Sequence, residues 1–515
     1  MGKMKRQYLL TILVAVAMVV SAYTTIGAEE SELSPYEKAA EKYAKTPLAE
    51  EIYKWYVHAS EPYRGTTIKT ILEKLPPAEY LAKEIVPRFE EITGINISCE
   101  LASNEEVYMK SMLEATTRAG TYDFFFDDQD MVGTWLKRKS VVCLTDLMKE
   151  HPKLVEPWLD LDDFIPAVLA MYTDREGNLW NLPIEQYPKP YIYRTDLFDD
   201  PEEKASFKER YGWELRPAKT WDEYVQIAEF FTRPEEDLYG HACVAKRFPG
   251  LAYEWTEALF IQGGAASKGV PWSRPICGWG IRINEDGKMA GASVKRGGMV
   301  NSPRMKEFFK TYKYLIDNCS PPGILTYTWE EEAEAFKAGR VAQIPQLYTQ
   351  LVPPLADPKE SKVVGKFAVA LPPVTKYWEE GMARGYWDSA GLIIPVGSKQ
   401  IEASWLFAQF VVSKAHELER ALNVGSTVRM SVLESPEIMA VDQKLGGLMS
   451  LARSPGILSL TGTDPAIKEY VAMLETVYKV IHKGYIGELS PDETMDKLAE
   501  DLDTQLRRMG YPIPR

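Results

Sequence analysis

The chain has 515 residues, a formal net charge of −14 and a sequence pI near 5.2, and 45% of its residues are hydrophobic. This composition supports a sizeable core and excludes a disordered chain, and the length predicts two or more lobes. The acidic balance lacks the basic surface that nucleic acids require, so nucleic acid is excluded as a partner.

The first segment has the pattern of an export signal. Three basic residues precede the apolar run YLLTILVAVAMVV, and Ala28 stands at a cleavage point among small residues. Residues 1–28 are therefore predicted to be a cleaved signal peptide of a periplasmic protein. Because the first cysteine is Cys99, no lipid-attachment cysteine follows the signal and a lipoprotein is not expected. The alternative is an uncleaved anchor, since residues 7–28 carry no charge over roughly the length of a membrane helix.

The cysteine pattern indicates neither a metal site nor a disulfide scaffold. The five cysteines are widely spaced, odd in number and form no CxxC motif, although one or two bridges could form after export. They are Cys99, Cys143, Cys243, Cys277 and Cys319.

Residues 29–62 read as a polar helical extension, and an alternation of strands and helices follows them. TTIKTIL, INISCEL and YDFFF are strand-like, and PPAEYLAKEIVPRFEEITG and SNEEVYMKSMLEATTRAG are helical. This βαβαβ order predicts an α/β fold with a doubly wound, parallel-type sheet, in which ligands bind at the carboxyl ends of the strands. The apolar run of YDFFF predicts a strand covered on both faces. Three acids follow at its carboxyl end: Asp127, Asp128 and Asp130.

A second alternating region begins with the strand-like segments NLWNLPI and PYIYRTDLF. KTWDEYVQIAEFFT is predicted to be a helix opened by Thr220 and Glu223 at capping-box spacing, and Asp286-Gly287 is predicted to be a hairpin turn. EEEAEAFKAGRVAQIPQLY reads as helix, glycine turn and strand, and the last helix is predicted to start at Ser490.

Catalytic templates are absent from the sequence, which has no G-x-S-x-G, P-loop or H-E-x-x-H motif. Instead, aromatic residues and acids recur in predicted loops. Sugars and polyols suit that mixture, because their C–H faces pack on rings while their hydroxyls donate to carboxylates. Any one of these aromatics, taken alone, is explained at least as well by core packing. The candidates are Tyr187, Tyr253, Glu254, Trp255, Tyr348, Trp387 and Asp388.

The order of the segments resembles that of the family 1 extracellular solute-binding proteins of ABC importers, which include maltose-binding protein. The segments are YDFFFDDQD, GNLWNLPI, YIYRTDLF, KTWDEY, AFKAGRVAQ, LPPV, SAGLIIPVGSK and EASWLFAQFVVS. The opening extension, WGIRINEDGKMAGASVKRGG and KLGGLMSLARSP are similar to the longer branch of this family, which contains glycerol and other polyol transporter subunits.

The resemblance implies a two-lobed type II periplasmic binding protein fold with crossing hinge strands. It places residues 63–183 and 389–435 in lobe 1, and residues 184–388 and 436–515 in lobe 2. It also implies a monomer that binds a carbohydrate or polyol between the lobes and delivers it to permease subunits in the inner membrane. No cofactor, metal or catalytic residue is expected.

The resemblance also carries site positions. Residues 127–130 match the first-lobe ligand loop, Tyr187 a polar contact, Tyr253 and Trp255 an aromatic ligand segment, and Tyr348 a stacking position. Maltose-type sites have tryptophan where this chain has an aspartate at 127, and often at position 348. Fewer large aromatic platforms predict a small or strongly polar ligand rather than a maltodextrin.

Two residue assignments stay open between binding and structure. Among the acids, Asp130 is predicted to cap the following helix and Asp127 or Asp128 to bind the ligand. Arg429, in VGSTVRMSV, could bond a hydroxyl or an acidic sugar or could neutralise the aspartates, but the favoured interpretation is a hinge salt bridge.

Two other functions fit parts of the pattern. Paired carboxylates beside aromatics also describe a secreted glycoside-processing enzyme, although that reading needs two carboxyls at a fixed separation. The aspartates could form a calcium site, but they lack the glycine and the final glutamate of an EF-hand loop.

Overall fold

The computed structural model describes residues 33–174, 176–260, 278–283, 289–380, 382, 387–454 and 470–513. The predicted signal peptide and the predicted turn at Asp286-Gly287 lie outside these residues. The strands are β1 (Thr67–Glu73), β2 (Asn96–Ala102), β3 (Phe124–Asp128), β4 (Leu182–Pro188), β5 (Tyr191–Arg194), β6 (Arg282–Ile283), β7 (Met289–Gly291), β8 (Gln343–Ile344), β9 (Phe367–Ala370) and β10 (Trp387–Ile393).

Helices connect and cover these strands. The α-helices are α1 (Pro35–Tyr43), α2 (Pro47–Ala59), α3 (Pro76–Tyr80), α4 (Val86–Thr93), α5 (Asn104–Thr117), α6 (Gln129–Arg138), α7 (Leu144–Glu150), α8 (Pro166–Ala170), α9 (Thr195–Phe198), α10 (Pro201–Tyr211), α11 (Trp221–Phe230), α12 (Pro249–Phe260), α13 (Pro303–Asn318), α14 (Trp329–Lys337), α15 (Ile401–Val411), α16 (Glu417–Val424), α17 (Met430–Leu433), α18 (Pro436–Asp442), α19 (Leu448–Ala452), α20 (Tyr470–Tyr485) and α21 (Pro491–Arg508).

The larger sheet has the strand order β2-β1-β3-β10-β4. β1 pairs in parallel with β2 and β3, whereas β10 pairs antiparallel with β3 and β4. The predicted βαβαβ unit is therefore confirmed, because α3 and α4 connect β1 to β2 and α5 connects β2 to β3. β10 enters this sheet from much later in the chain and lies between β3 and β4. The carboxyl ends of β1, β2 and β3 consequently share one edge of the sheet.

A smaller sheet has the order β8-β5-β9, with both outer strands antiparallel to β5. β6 and β7 form a separate antiparallel pair on either side of the predicted hairpin turn. Several predicted helix ends are also confirmed. Thr220 and Glu223 exchange capping-box hydrogen bonds at the start of α11, as Ser490 and Glu493 do at the start of α21. α4 ends at Gly94 with φ +72°, a left-handed backbone that favours glycine.

The helical connection between β1 and β2 contains one widened turn. Residues Leu81–Ile85 are π-helical, and the backbone N–H of Val86 bonds to the carbonyl of Leu81. Pro87 follows and has no N–H to donate to the preceding turn, which accounts for the change in helical register. Leu81, the first residue of this turn, lines the cleft of the candidate site.

The predicted N-terminal extension packs as part of the main core. Tyr53 and Tyr56 of α2 are fully buried, and their rings contact Phe410 of α15. The Tyr53 hydroxyl bonds to Nδ1 of His416 at 3.0 Å, and the Tyr56 hydroxyl donates to Glu156 at 2.5 Å. These contacts tie residues 33–62 to the part of the chain that contributes the larger sheet.

The four described cysteines, Cys99, Cys143, Cys243 and Cys319, are unpaired, and Cys277 lies outside the described residues. Within the described part of the chain, no helix has both the length and the apolar character needed to cross a bilayer.

Candidate functional site

A cleft lies at the carboxyl edge of the parallel strands, as the topology predicts. Glu73 is the last residue of β1, Asn104 follows β2, and Asp128 is the last residue of β3. β4, β10, α12, α14 and the segment after β8 complete the walls. The cleft measures about 740 Å³, counting the space that opens to solvent, which is in the range of small-molecule sites.

Tyrosine hydroxyls meet carboxyl groups at three places around this cleft. Tyr187 donates to Glu185 at 2.8 Å, Tyr348 donates to Asp388 at 3.2 Å, and Tyr108 donates to Asp128 at 2.6 Å. In each pair, the tyrosine oxygen and the two carboxyl oxygens can accept hydrogen bonds from a ligand hydroxyl. The described walls therefore match a ligand rich in hydroxyl groups.

Aromatic rings form the apolar part of the walls. The Trp329 and Tyr348 rings meet edge to face with centroids 5.8 Å apart, and Tyr187 meets Tyr348 in the same way at 6.4 Å. Tyr253 and Phe126 also line the cleft. Flat rings of this kind pack against the C–H faces of a polyol or sugar.

Burial shifts the protonation of the cleft acids. Burial in the cleft wall raises the pKa of Glu73 to about 7, although a 2.9 Å hydrogen bond from the Asn104 amide opposes the shift. Burial likewise raises the pKa of Glu185 to about 7 against the opposing charge of Arg420, whose Nη1 lies 3.4 Å away. Burial therefore makes both acids weaker than exposed carboxyl groups.

A buried ammonium lies behind the cleft. Lys189 is fully buried, with its Nζ 4.2 Å from the centroid of the Tyr348 ring and 3.4 Å from the carbonyl of Tyr253. Burial raises the pKa of Asp388, and the charge of Lys189 opposes that effect. Lys189 thus compensates the negative charge of this wall without lining the cleft.

Five of the residues predicted from the sequence line the cleft: Asp128, Tyr187, Tyr253, Tyr348 and Asp388. The prediction missed several other lining residues. Glu73 and Asn104 follow strands at the same sheet edge as Asp128, so the topological argument applied to β1 and β2 would have identified them. The sequence gives no comparable signal for Glu185, Trp329 or Gln350.

Asp127 lies behind the cleft wall, contrary to its predicted role as a ligand contact. It is 3% exposed, and its Oδ2 accepts hydrogen bonds from Ser111 at 2.6 Å and from the Trp135 indole at 2.7 Å. Burial raises its pKa to about 6, with these two bonds opposing the shift. Successive residues of a strand face opposite sides, so Asp127 and Asp128 point away from each other.

Trp255 and Glu254 are also placed in the interior. Trp255 is 1% exposed and packs against Phe308, Phe309 and Tyr312, so it belongs to the core. The Glu254 carboxylate is buried and accepts a 2.6 Å hydrogen bond from Tyr312. On α12 only Tyr253, of these three successive candidates, lines the cleft, because a helix turns about 100° per residue.

The predicted helix cap is also corrected. α6 begins at Gln129, so Asp128 occupies the N-cap position, although its side chain makes no capping bond, and Asp130 is already inside the helix. The side chains of Asp130 and Trp387 lie outside what the structure describes. The Trp387 backbone starts β10 and pairs with Pro188.

Arg429 forms the salt bridge that was the alternative to ligand binding. Its fully buried guanidinium lies 3.3 Å from Asp163 and donates to the carbonyls of Val412 at 2.8 Å and Leu159 at 2.9 Å. It also lies over the Phe164 ring, 4.6 Å from the centroid. Arg429 is not a lining residue of the cleft.

Comparison with known proteins gives a family match. Residues 74–417 match the family model described as bacterial extracellular solute-binding protein. A probable amino-acid ABC transporter periplasmic-binding protein of Sinorhizobium fredii is 22% identical over 456 residues, covering 87% of this chain and 91% of its own length. A binding protein of Brucella abortus is 24% identical, with 84% and 93% covered.

Solved structures match the fold. An ABC transporter solute-binding protein of Agrobacterium radiobacter in complex with ribitol has a TM-score of 0.68 at 23% identity, covering 86% of this chain and 99% of that chain. A solute-binding protein of Agrobacterium vitis with bound D-mannitol has a TM-score of 0.65 at 20% identity, with 87% and 100% covered. Maltose-bound MalE3 of T. maritima has a TM-score of 0.67 at 17% identity, with 86% and 100% covered. These matches confirm the predicted α/β periplasmic binding protein fold.

Proposed function

The chain belongs to the family of bacterial extracellular solute-binding proteins, whose members serve ABC transporters as binding components and not as enzymes, and we propose that its ligand is a carbohydrate or polyol. The candidates are a sugar, a sugar alcohol or a glycerol-like compound. The observation that carries this proposal is the combination of tyrosine–carboxyl pairs with aromatic rings in one cleft. The ribitol and mannitol complexes of similar fold support it.

An amino acid is the second candidate, because one relative carries that name. A zwitterion needs a cation or a set of backbone amides for its carboxylate. Among the described residues that line the cleft there is no lysine, arginine or histidine. This charge pattern favours the polyol.

Binding residues are proposed on the same basis. Asp128, Tyr187, Tyr253, Tyr348 and Asp388 are retained from the sequence prediction as ligand contacts. Glu73, Asn104, Glu185, Trp329 and Gln350 are added because they line the same cleft.

The lobe boundaries remain those predicted from the sequence: 63–183 with 389–435, and 184–388 with 436–515, after an extension at 29–62. Sheet membership supports them, since β1 to β3 fall in the first range and β5, β8 and β9 in the second. β4 and β10, which pair with each other, span the two boundaries as hinge strands would. Closure of two lobes around the ligand would then present it to permease subunits in the inner membrane.

Localisation in the periplasm, cleavage near Glu29 and the absence of a lipid anchor complete the proposal. N-terminal sequencing of the exported protein tests this part. Recovery of intact protein beginning at Met1 in the membrane fraction would contradict it.

A thermal-shift screen of sugars, sugar alcohols, glycerol derivatives and amino acids tests the ligand class. A ligand at 100 times its Kd should add about 2.7 kcal/mol of stability, which is readily detected. Stabilisation by amino acids alone would overturn the proposed ligand class.

A further inference from the structure

The described walls of the cleft have an uneven charge. Four carboxyl groups line it, from Glu73, Asp128, Glu185 and Asp388, and the described lining residues include no basic side chain. A neutral polyol needs acceptors and donors in comparable number, since each hydroxyl both donates and accepts. An excess of carboxyl groups, with no basic side chain among the described lining residues, favours a ligand that mainly donates.

Two of these acids are compensated from behind. Glu185 lies 3.4 Å from Nη1 of Arg420, and Asp388 interacts with the buried ammonium of Lys189. These cations neutralise charge on the β4 and β10 side of the cleft.

Glu73 has a different environment. Its hydrogen bond comes from the neutral amide of Asn104, at 2.9 Å. The largest charge effects on it come from acidic groups, Glu330, Asp388 and Glu105. A positive charge placed beside Glu73 would therefore meet attraction from several carboxylates and repulsion from none of these groups.

Two buried acceptor atoms of cleft-lining residues have no hydrogen-bond partner within the part of the chain that the structure describes. They are Oδ1 of Asn104 and Oε1 of Gln350, and the Gln350 side chain is only 7% exposed. A buried unpaired acceptor costs about 1–3 kcal/mol, so a ligand that donates to it gains affinity. An ammonium group carries three donors and no acceptor.

The aromatic walls suit the same group. Trp329 and Tyr348 present adjoining rings to the cleft, and aromatic faces attract cations. Lys189 already contacts the Tyr348 ring from outside the cleft, at 4.2 Å from the centroid.

We propose that the ligand is a polyol or sugar carrying one amino group, with the ammonium bound by Glu73, Asn104 and Gln350 and the hydroxyls bound by the tyrosine–carboxyl pairs. This inference rests on the proposed function, because it keeps the polyhydroxyl ligand and adds the amino group. A ligand carboxylate is excluded by the same four carboxyl groups.

Isothermal titration of the mature chain at pH 7 with matched compounds tests it. The pairs are D-sorbitol with 1-amino-1-deoxy-D-sorbitol and D-glucose with D-glucosamine, and D-gluconate supplies an anion. At least one amine should bind about 10-fold or more tightly than its neutral partner, and gluconate should bind weakest. Glu73→Gln keeps the side-chain shape and an oxygen for the Asn104 bond, and it should lower the ratio of amine affinity to neutral-partner affinity to about 1, whatever it does to the neutral partner's own affinity.

Glu79→Gln is the control variant, because Glu79 carries the same charge on α3, pairs with Lys83 and does not line the cleft. It should leave the preference for the amine unchanged. A preference that survives Glu73→Gln, or that Glu79→Gln removes equally, overturns the inference.

The remaining outcomes separate this inference from the proposed function. If the neutral compounds bind as tightly as their amines, the inferred amino group is wrong and the proposed polyol ligand still stands. Failure of every sugar, polyol and amine at 10 mM, on the order of the weakest specific sites, overturns both.

Discussion

Asp127 and Asp128 are adjacent carboxylates with opposite expected roles, which makes them a matched pair for mutation. Asp128 lines the cleft, so Asp128→Asn should remove a charge-assisted bond to the ligand worth about 1.5–3 kcal/mol. That is roughly a 10- to 150-fold increase in Kd. Asp127→Asn should change Kd by less than about threefold, because Asp127 is 3% exposed and bonded to Ser111 and Trp135.

Asp127→Asn should instead alter the pH dependence of stability. Its folded pKa of about 6 lies above the ordinary value of 3.8, so the folded protein holds this proton more tightly than the unfolded chain. The stability it contributes is complete below pH 3.8 and is lost as the pH rises through about 6. The difference of about two units corresponds to ~3 kcal/mol at neutral pH. An asparagine does not ionise, and its amide oxygen can accept both existing hydrogen bonds.

Urea denaturation at pH 4 and pH 7 measures this effect, and titration with the tightest ligand of the screen measures affinity. The asparagine variant should gain stability relative to wild type between pH 4 and pH 7, by up to ~3 kcal/mol. The placement of the site fails if Asp127→Asn weakens binding as much as Asp128→Asn does. The account of Asp127 fails if the variant keeps the wild-type change in stability with pH.

Four further substitutions test the placement of individual side chains. Trp255→Ala should cost about 3–5 kcal/mol of stability and change Kd by less than about threefold, whereas Trp329→Ala should weaken binding by about 1–3 kcal/mol. Urea denaturation and calorimetric titration of both variants distinguish the two effects. Equal effects of the two variants on affinity would contradict the assignment of Trp255 to the core and Trp329 to the cleft. Arg429→Met leaves the Asp163 carboxylate without this buried partner, so it should lower the free energy of unfolding by about 3–5 kcal/mol in urea melts and leave Kd unchanged. A loss of affinity without a loss of stability would instead indicate that Arg429 binds the ligand. Burial lowers the pKa of His241 to about 3 from 6.5, so the stability that it contributes is complete above pH 6.5 and is lost as the pH falls. His241→Phe should therefore lower the number of protons taken up on unfolding by about one, so the free energy of unfolding falls less as the pH is lowered. Urea melts at pH 7, 5.5 and 4 measure this free energy, and a pH dependence equal to that of wild type would contradict the prediction.

The sheet could be predicted from the sequence because its signals are local. Strand runs such as YDFFF, capping pairs such as Thr220 with Glu223, and the glycine at 94 report on a few neighbouring residues. The order of elements then fixes a parallel unit and its ligand-binding edge. Asp128, which follows from that order, is a lining residue of the cleft.

The remaining assignments depended on side-chain direction and distant packing, which short motifs do not encode. Asp127 and Asp128 occupy the same edge, but strand alternation buries one and exposes the other to the cleft. Phe126 shows the same limit of pattern reasoning: it was expected to be buried by helices and instead lines the cleft. The sequence predicts Trp255 as a ligand contact, whereas the structure packs it against Phe308 and Phe309 of α13.

The position of Asp128 connects the two sides of the cleft. Tyr108 of α5 donates to Asp128, and its hydroxyl also bonds to the hydroxyl of Tyr253 on α12. Since the Tyr108 proton is directed to the carboxylate, Tyr253 acts as donor to Tyr108 in this arrangement. The chain of bonds runs from residues of the first proposed lobe to a residue of the second. In the proposed two-lobed arrangement, a ligand hydroxyl that donates to Asp128 would bind where these hydrogen bonds already join the two walls of the cleft.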